Sequence, residues 1–233
     1  MSDESHPGAL HGERARRLLY GRRKGPKLRG RQAELLQTLL PQLLWHAKAG
    51  ADPRQAYDDV DDIWLEVGFG AGEHLYWQAG QNPRVGLIGA EPFENGVAKL
   101  LSKIADAPLC NIRLHMGDAR DIIDALPDSS LGRVFVLFPD PWPKTRHHKR
   151  RFLQTEMLDA LARVMKPGAE LRFATDDKSL LPYTLERLSI HPAFVWMARG
   201  PGDWLTRPAD WPQTRYEAKA IKGKPVFLRL CRR

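Results

Sequence analysis

The sequence predicts an α/β fold, an open and mostly parallel sheet with helices on both faces. Three observations predict it. Short apolar segments that read as strands alternate with longer amphipathic segments that read as helices. One strand candidate, RVFVLF, is a continuous apolar run, as a strand covered on both faces requires. Glycines and carboxylates stand directly after successive strands, where an open α/β sheet gathers its ligand-binding residues.

The elements follow in order. Residues 1–13 are polar and unpatterned. Residues 14–31 carry Arg14, Arg16, Arg17, Arg22, Arg23, Lys24, Lys27, Arg29 and Arg31 with no acid, a density of like charge that resists compact packing. Residues 1–33 therefore read as a flexible basic arm and 34–233 as one folded domain. RQAELLQTLL forms a short helix that Pro41 stops or kinks. An acidic, loop-like stretch leads into IWLEV, the first strand. GLIGA, IRLHM, RVFVLF and ELRFAT follow as strands, with weaker ones near residues 194–197 and 226–230. ENGVAKLLSKIADA and FLQTEMLDALARVM are the clearest amphipathic helices between them.

Composition narrows the partners. Among 233 residues, 36 Lys and Arg against 28 Asp and Glu leave a formal charge of +8, which favours a polyanion, nucleic acid first. Two distant cysteines, Cys110 and Cys231, exclude a disulfide framework and a zinc motif. The polar N-terminus and the lack of an apolar run of membrane length point to a cytoplasmic protein.

The first strand runs into LEVGFGAGEHL, with Gly68, Gly70 and Gly72 at alternate positions before a helix. A dinucleotide fingerprint needs glycine where Glu73 stands, and a carboxylate there repels pyrophosphate. The loop suits a cofactor without phosphates. Glu66 lies in the first strand, and Glu91, Asp118 and Asp140 each follow a later one. All four should converge on one crevice, although Asp118 before ARDIIDAL is equally suited to be a helix N-cap. Glu91 stands 23 residues past Gly68, where a Rossmann-type fold places the acid that binds a ribose diol. Asp118 is placed to accept from an adenine amino group. An acidic site fits a cationic cofactor such as S-adenosylmethionine.

After the fourth strand comes FPDPWPKTRHHKRRF. Three prolines stiffen the loop that presents Asp140 and Trp142. Lys144, Arg146, Lys149, Arg150 and Arg151 then form an edge suited to phosphates. Trp142 either stacks on a base or packs under the loop. His147 and His148, adjacent and without a matching acid or thiol set, predict no metal site. Near the C-terminus Thr214, Arg215, Tyr216 and Glu217 open a helix or turn. Glu217 is suited to the N1–H and amino edge of guanine and Arg215 to phosphate, unless the segment is only a capped helix.

Taken together, GRRKG, LEVGFGAGEHL, GAEPFENG, GDARD, FPDPWPKTRHHKRRF, ATDD and TRYE resemble the bacterial single-chain tRNA (guanine-N7-)-methyltransferase family. The PDPW tract is specific to it, whereas the ExGxGxG loop is shared by most class I methyltransferases. The resemblance implies a Rossmann-like class I S-adenosylmethionine-dependent methyltransferase fold with seven strands. It implies S-adenosylmethionine contacts at Glu66, Gly68, Gly70, Glu91, Asp118 and Asp140. It places substrate contacts at Lys144, Asp176, Thr214, Arg215, Tyr216 and Glu217, and methyl transfer to guanine 46 in the variable loop of tRNA. Asp140 is the candidate catalytic residue, holding either the cofactor's ammonium or the guanine. No obligatory protein partner is implied, and a monomer or homodimer is expected. Asp177 stands where relatives often carry an aromatic residue. A DPPY-type loop, expected of an amino-group methyltransferase, is absent. A silent RNA-binding subunit would be expected to have lost the acids, and all four are present.

Overall fold

A computed structural model of the chain describes residues 20–21, 23–45, 49–218 and 223–233. The arginines expected in the arm at positions 14, 16, 17 and 22 lie outside the described residues. Seven strands form one sheet: β1 (Asp62–Val67), β2 (Val85–Ala90), β3 (Ile112–His115), β4 (Leu131–Leu137), β5 (Met165–Thr175), β6 (Phe194–Trp196) and β7 (Val226–Arg232). Their order is β3-β2-β1-β4-β5-β7-β6, parallel through β5, with β7 antiparallel to both of its neighbours. All seven strands match the segments read from the sequence. The strand order reverses between β1 and β4, and that switch point opens a crevice beyond their carboxyl ends.

Strand alternation sends side chains to two faces. Trp64, Leu87, Ile112 and Phe135 pack under α1 (Arg31–Thr38), α2 (Leu40–Leu43), α3 (Glu73–Gln81) and α4 (Glu94–Asp106). Ile63, Leu65, Val134, Leu171 and Phe173 pack under α5 (Ala119–Ala125), α6 (Thr155–Val164) and α7 (Leu180–Ile190). Helix α1 starts at Arg31 and crosses the domain boundary expected at 33/34. The break falls at Leu39, and Pro41 sits in the first turn of α2, where its missing N–H has no partner to lose. Helix α7 carries no clear apolar stripe and was not legible. Strand β5 starts at Met165, before Gly168, because its pairing with β4 shifts register between Leu131 and Arg133.

The last elements, α8 (Gly202–Leu205) and α9 (Arg215–Ala218), flank a segment that crosses the sheet at residues 206–214. Charge anchors this strap. Arg172 of β5 is 2% exposed and pairs with Asp210 at 2.7 Å and Glu170 at 2.8 Å. The Asp210 carbonyl accepts from Gln78 Nε2 at 2.8 Å, and Trp211 packs edge-on against Phe227 and His74. Burial pushes the Asp210 carboxyl up, but the Arg172 guanidinium outweighs it and the pKa is lowered overall. Removing one partner of a buried pair costs about 3–5 kcal/mol. Asp210 is half-exposed and Glu170 remains beside Arg172, so Asp210→Ala should cost about 1–2 kcal/mol in urea unfolding. An unchanged midpoint would show that apolar packing alone holds the strap.

Candidate functional site

The glycine loop turns at the end of β1 with Gly68 and Gly70 at positive φ, 69° and 56°, a conformation that side-chain-bearing residues rarely adopt. The Gly70 N–H donates to Glu91 Oε2 at 2.7 Å, and the Phe93 N–H donates to Glu91 Oε1 at 2.8 Å. Glu91 is 7% exposed. Burial pushes its pKa up, and these two backbone donors only partly offset the shift. The Gly70 carbonyl rests on α4 at Gly96, where an added Cβ would stand 2.3 Å from the oxygen. In the sequence Gly96 is only a glycine inside a helical pattern, and nothing local shows the Gly70 carbonyl that it makes room for.

A cavity of about 550 Å3 opens at the switch point. Glu91, Asp118 and Asp140 line it together with Gly68, Phe93 and Phe138. Its volume lies within the range of small-molecule sites. Three of the four expected acids thus share one wall. Glu66 is instead buried beneath the loop, where its Oε2 meets His74 Nδ1 at 2.7 Å, and it does not line the cavity. Gly70 likewise acts from behind, through Glu91. Asp118 does both things expected of it. It caps α5, accepting the Arg120 N–H at 3.0 Å, and it faces the cavity while paired with the Arg120 guanidinium. A wall with no phosphate cradle and three carboxylates fits a cationic adenosyl cofactor and opposes a dinucleotide.

The proline-rich loop carries strain at two non-glycine residues, Phe138 (φ 50°) and Trp142 (φ 44°). Arg151 holds its shape. The sequence grouped Arg151 with the phosphate-facing cations, but it is 2% exposed, and its Nε donates to the Pro141 carbonyl at 2.8 Å. Its other end reaches Ser179 Oγ at 3.1 Å and lies over the Tyr183 ring. A guanidinium spent in this way is a buckle of the loop. Lys144, Arg146 and Lys149 are exposed, and Arg150 is half-buried. Trp142 packs edge-on against Tyr20 and His147, with Arg150 over both Trp142 and Tyr20.

Tyr20 and Gly21 line the same cavity, so the end of the arm crosses it. Asn95 fastens the arm on the other side. Its Oδ1 accepts the Gly25 N–H at 2.7 Å, and its Nδ2 donates to the Pro26 carbonyl at 2.8 Å. Asn95 was not singled out in the sequence, because nothing local distinguishes it from a helix-start residue.

Beyond the loop stands a second wall. Asp176 at the end of β5 is 8% exposed and lies 3.5 Å from the Tyr216 hydroxyl, whose ring tilts on Phe138. Burial first, then the charge of Asp176, raises the Tyr216 pKa. Burial also raises that of Glu217, which Arg207 faces at 3.5 Å. Thr214 Oγ1 accepts the Glu217 N–H at 3.2 Å, and the Arg215 N–H donates to Glu73 Oε2 at 2.6 Å. The strap thus joins the helix that leaves the glycine loop. Asp177, the position that departs from the resembled pattern, accepts from Ser179 and Leu180 at the entry to α7.

Comparisons agree with this architecture. A family model described as "Putative methyltransferase" matches residues 61–230. A tRNA (guanine-N(7)-)-methyltransferase of Rhodospirillum rubrum is 52% identical over 222 residues, covering 92% of this chain and 87% of that one. Those of Zymomonas mobilis (46%, 94% and 95% covered) and Brucella anthropi (44%, both chains covered fully) are similar. Among solved structures, the 16S rRNA methyltransferase KamB superposes with a TM-score of 0.54 at 19% identity, covering 80% of this chain and 96% of that one. The antibiotic-resistance methyltransferase Kmr does so at 0.54 and 17%, covering 81% and 94%. At such identities the likeness shows the fold, a class I methyltransferase sheet. Among the described residues no helix is long and apolar enough to cross a membrane.

Two outcomes follow from the loop geometry. Ala in place of Gly in a helix is favourable by about 1 kcal/mol, but a Cβ pressed into a backbone carbonyl costs more. Gly96→Ala should weaken S-adenosylmethionine binding about tenfold by calorimetry; unchanged affinity would mean that the loop yields. In the role the sequence predicts for it, accepting two ribose hydroxyls, Glu91 must be ionised, and its pKa is raised. Cofactor affinity should therefore fall, as pH drops, at a higher pH than an ordinary glutamate would give. Glu91→Gln should bind more weakly and flatten that limb of the profile.

Proposed function

The chain belongs to the tRNA (guanine-N7-)-methyltransferase family, and from that premise we propose that it methylates N7 of a guanine in tRNA, at position 46 of the variable loop. The observation that carries the reading is a cavity with an acidic cofactor wall and a basic rim, bordered at Phe138 by a second, aromatic and acidic group, Tyr216 and Asp176. When bound, S-adenosylmethionine supplies a methyl group on a cationic sulfur. Glu91 accepts from the ribose diol and Asp118 from the adenine amino group, while Gly68 keeps side chains out of the way. Glu66 contributes indirectly, by holding His74 under the loop.

N7 of guanine has an in-plane lone pair and gives up no proton on methylation, so no strong general base is needed. Alignment is the main requirement. Positive charge moves onto the guanine ring, and preformed carboxylates stabilise it. Asp140 lines the cavity beside Phe138, at the junction of the two walls, and is the candidate for that role. Asp176 and Glu217 accept from the N1–H and amino edge, which adenine cannot offer. Their burial keeps water from competing. Tyr216 orients Asp176 and, with Phe138, offers a surface for the base. Lys144, Arg146 and Lys149 meet phosphates, and Arg150 closes over the arm. The reading includes a cytoplasmic enzyme, monomer or homodimer, that needs no second protein.

Unmodified tRNA incubated with labelled S-adenosylmethionine should yield 7-methylguanosine, mapped to the variable loop by nuclease digestion and mass spectrometry. Another methylated nucleoside would keep the cofactor and defeat the acceptor. Asp140→Ala should lower kcat/KM about 100- to 1,000-fold with the unfolding midpoint unchanged. Full activity in that variant would remove Asp140 from the mechanism.

A further inference from the structure

A second recess lies behind the glycine loop, apart from the cofactor cavity. It is a solvent-open groove of about 410 Å3, lined by Tyr76, Trp77 and Gln81 of α3, Lys103 of α4, Gln213 of the strap and Arg215, which opens α9. The Tyr76 hydroxyl is fixed by donation to the Ala107 carbonyl at 2.6 Å. Glu73, which would repel an anion, is covered by Arg215 through a backbone N–H at 2.6 Å and Nε at 3.2 Å. The Arg215 side chain is nonetheless 85% exposed. The groove therefore has aromatic rings, two amides able to read a base edge, and a net positive rim.

We propose that this groove binds a nucleotide of the substrate tRNA that neighbours the target guanine, with its base on Trp77 and its phosphate against Lys103 and Arg215. Aromatic faces beside cations are how proteins hold unstacked single-stranded nucleotides. Continuity supplies the second argument. Arg215 lines the groove, and the next residue, Tyr216, packs on Phe138 in the acceptor wall. One peptide unit joins the two places, so their occupants would lie close in space. A guanine at the acceptor wall has left its stack, and a second pocket for its neighbour would hold the strand open. A groove of nine lining residues, two of them cations and one an acid, does not offer the long apolar face that a protein helix needs. The inference rests on tRNA being the substrate.

The test uses the full chain, unmodified tRNA and three variants. Trp77→Ala should weaken tRNA binding about tenfold in a filter assay, and Trp77→Phe should restore most of it. Lys103→Ala, a surface change that leaves the core intact, should weaken binding and reduce the salt slope by about one. S-adenosylmethionine affinity, measured by calorimetry, should stay at its original value in all three. If the unsubstituted protein methylates tRNA and both alanine variants bind tRNA as it does, the groove is no RNA site and this inference alone fails. Weaker tRNA binding by Trp77→Ala with equal loss of cofactor binding, and no effect of Lys103→Ala, would also overturn it, as damage to α3. If the unsubstituted protein neither binds nor methylates tRNA, the substrate reading fails as well.

Discussion

A carboxylate taken out of water must be met by donors, and the site is arranged around how Glu91 meets that requirement. Its two oxygens take N–H groups from Gly70 and Phe93, which belong to the turns after β1 and β2. The same carboxylate therefore ties together the two loops that border the cofactor cavity. It also keeps acceptor capacity toward the cavity, since a carboxylate has more lone pairs than these donors use. The arrangement needs Gly70 to come within reach of α4, and only a glycine at position 96 leaves room for its carbonyl. The loop, the helix and the acid are in this sense one unit.

Electrostatics divides the neighbourhood. Carboxylates line the cavity where a cationic cofactor fits, and cations occupy its rim where phosphates would approach. Within the cavity Asp118 is paired with Arg120, whereas the cations of the proline-stiffened tract lie along the loop that Arg151 holds by bonding to its backbone. The basic arm crosses between them, with Tyr20 against Trp142 and Arg150, and Asn95 holding the chain five residues on. The acidic wall and the basic rim, the proposed cofactor and RNA surfaces, thus share a boundary made of the arm itself.

On the far side, the sheet carries an unusual polar patch. Arg133, Arg172 and Arg229 meet Glu170 and Asp210 on the face of β4, β5 and β7. Burial lowers the Arg133 pKa, and the neighbouring Arg172 adds to the shift; Arg133 also stacks on Trp64. Replacing such a cluster with apolar residues is often neutral for stability. Its effect here is positional. It registers the strap over β5, and the strap leads into Thr214, Arg215, Tyr216 and Glu217, the proposed acceptor wall.

The sequence by itself determined the seven strands, a crevice beyond their carboxyl ends and the acids that follow the strands, while their order, and so the switch point, came from the tertiary structure. These rest on local signals: alternation, glycine spacing, and carboxylates at strand ends. Glu91, Asp118 and Asp140 were legible because topology forces successive strand ends together. Glu66 and Arg151 were legible as charged residues but not in their roles. Whether a charge faces a cavity or the interior depends on partners such as His74 and Ser179, which lie 8 and 28 residues away. Gly96, Asn95 and Asp210 are not legible for the same reason: each acts on a segment remote in sequence, across a gap that no periodicity spans. Tertiary structure alone decided which charges are buried, because burial is a property of what packs over a residue and not of the residue itself.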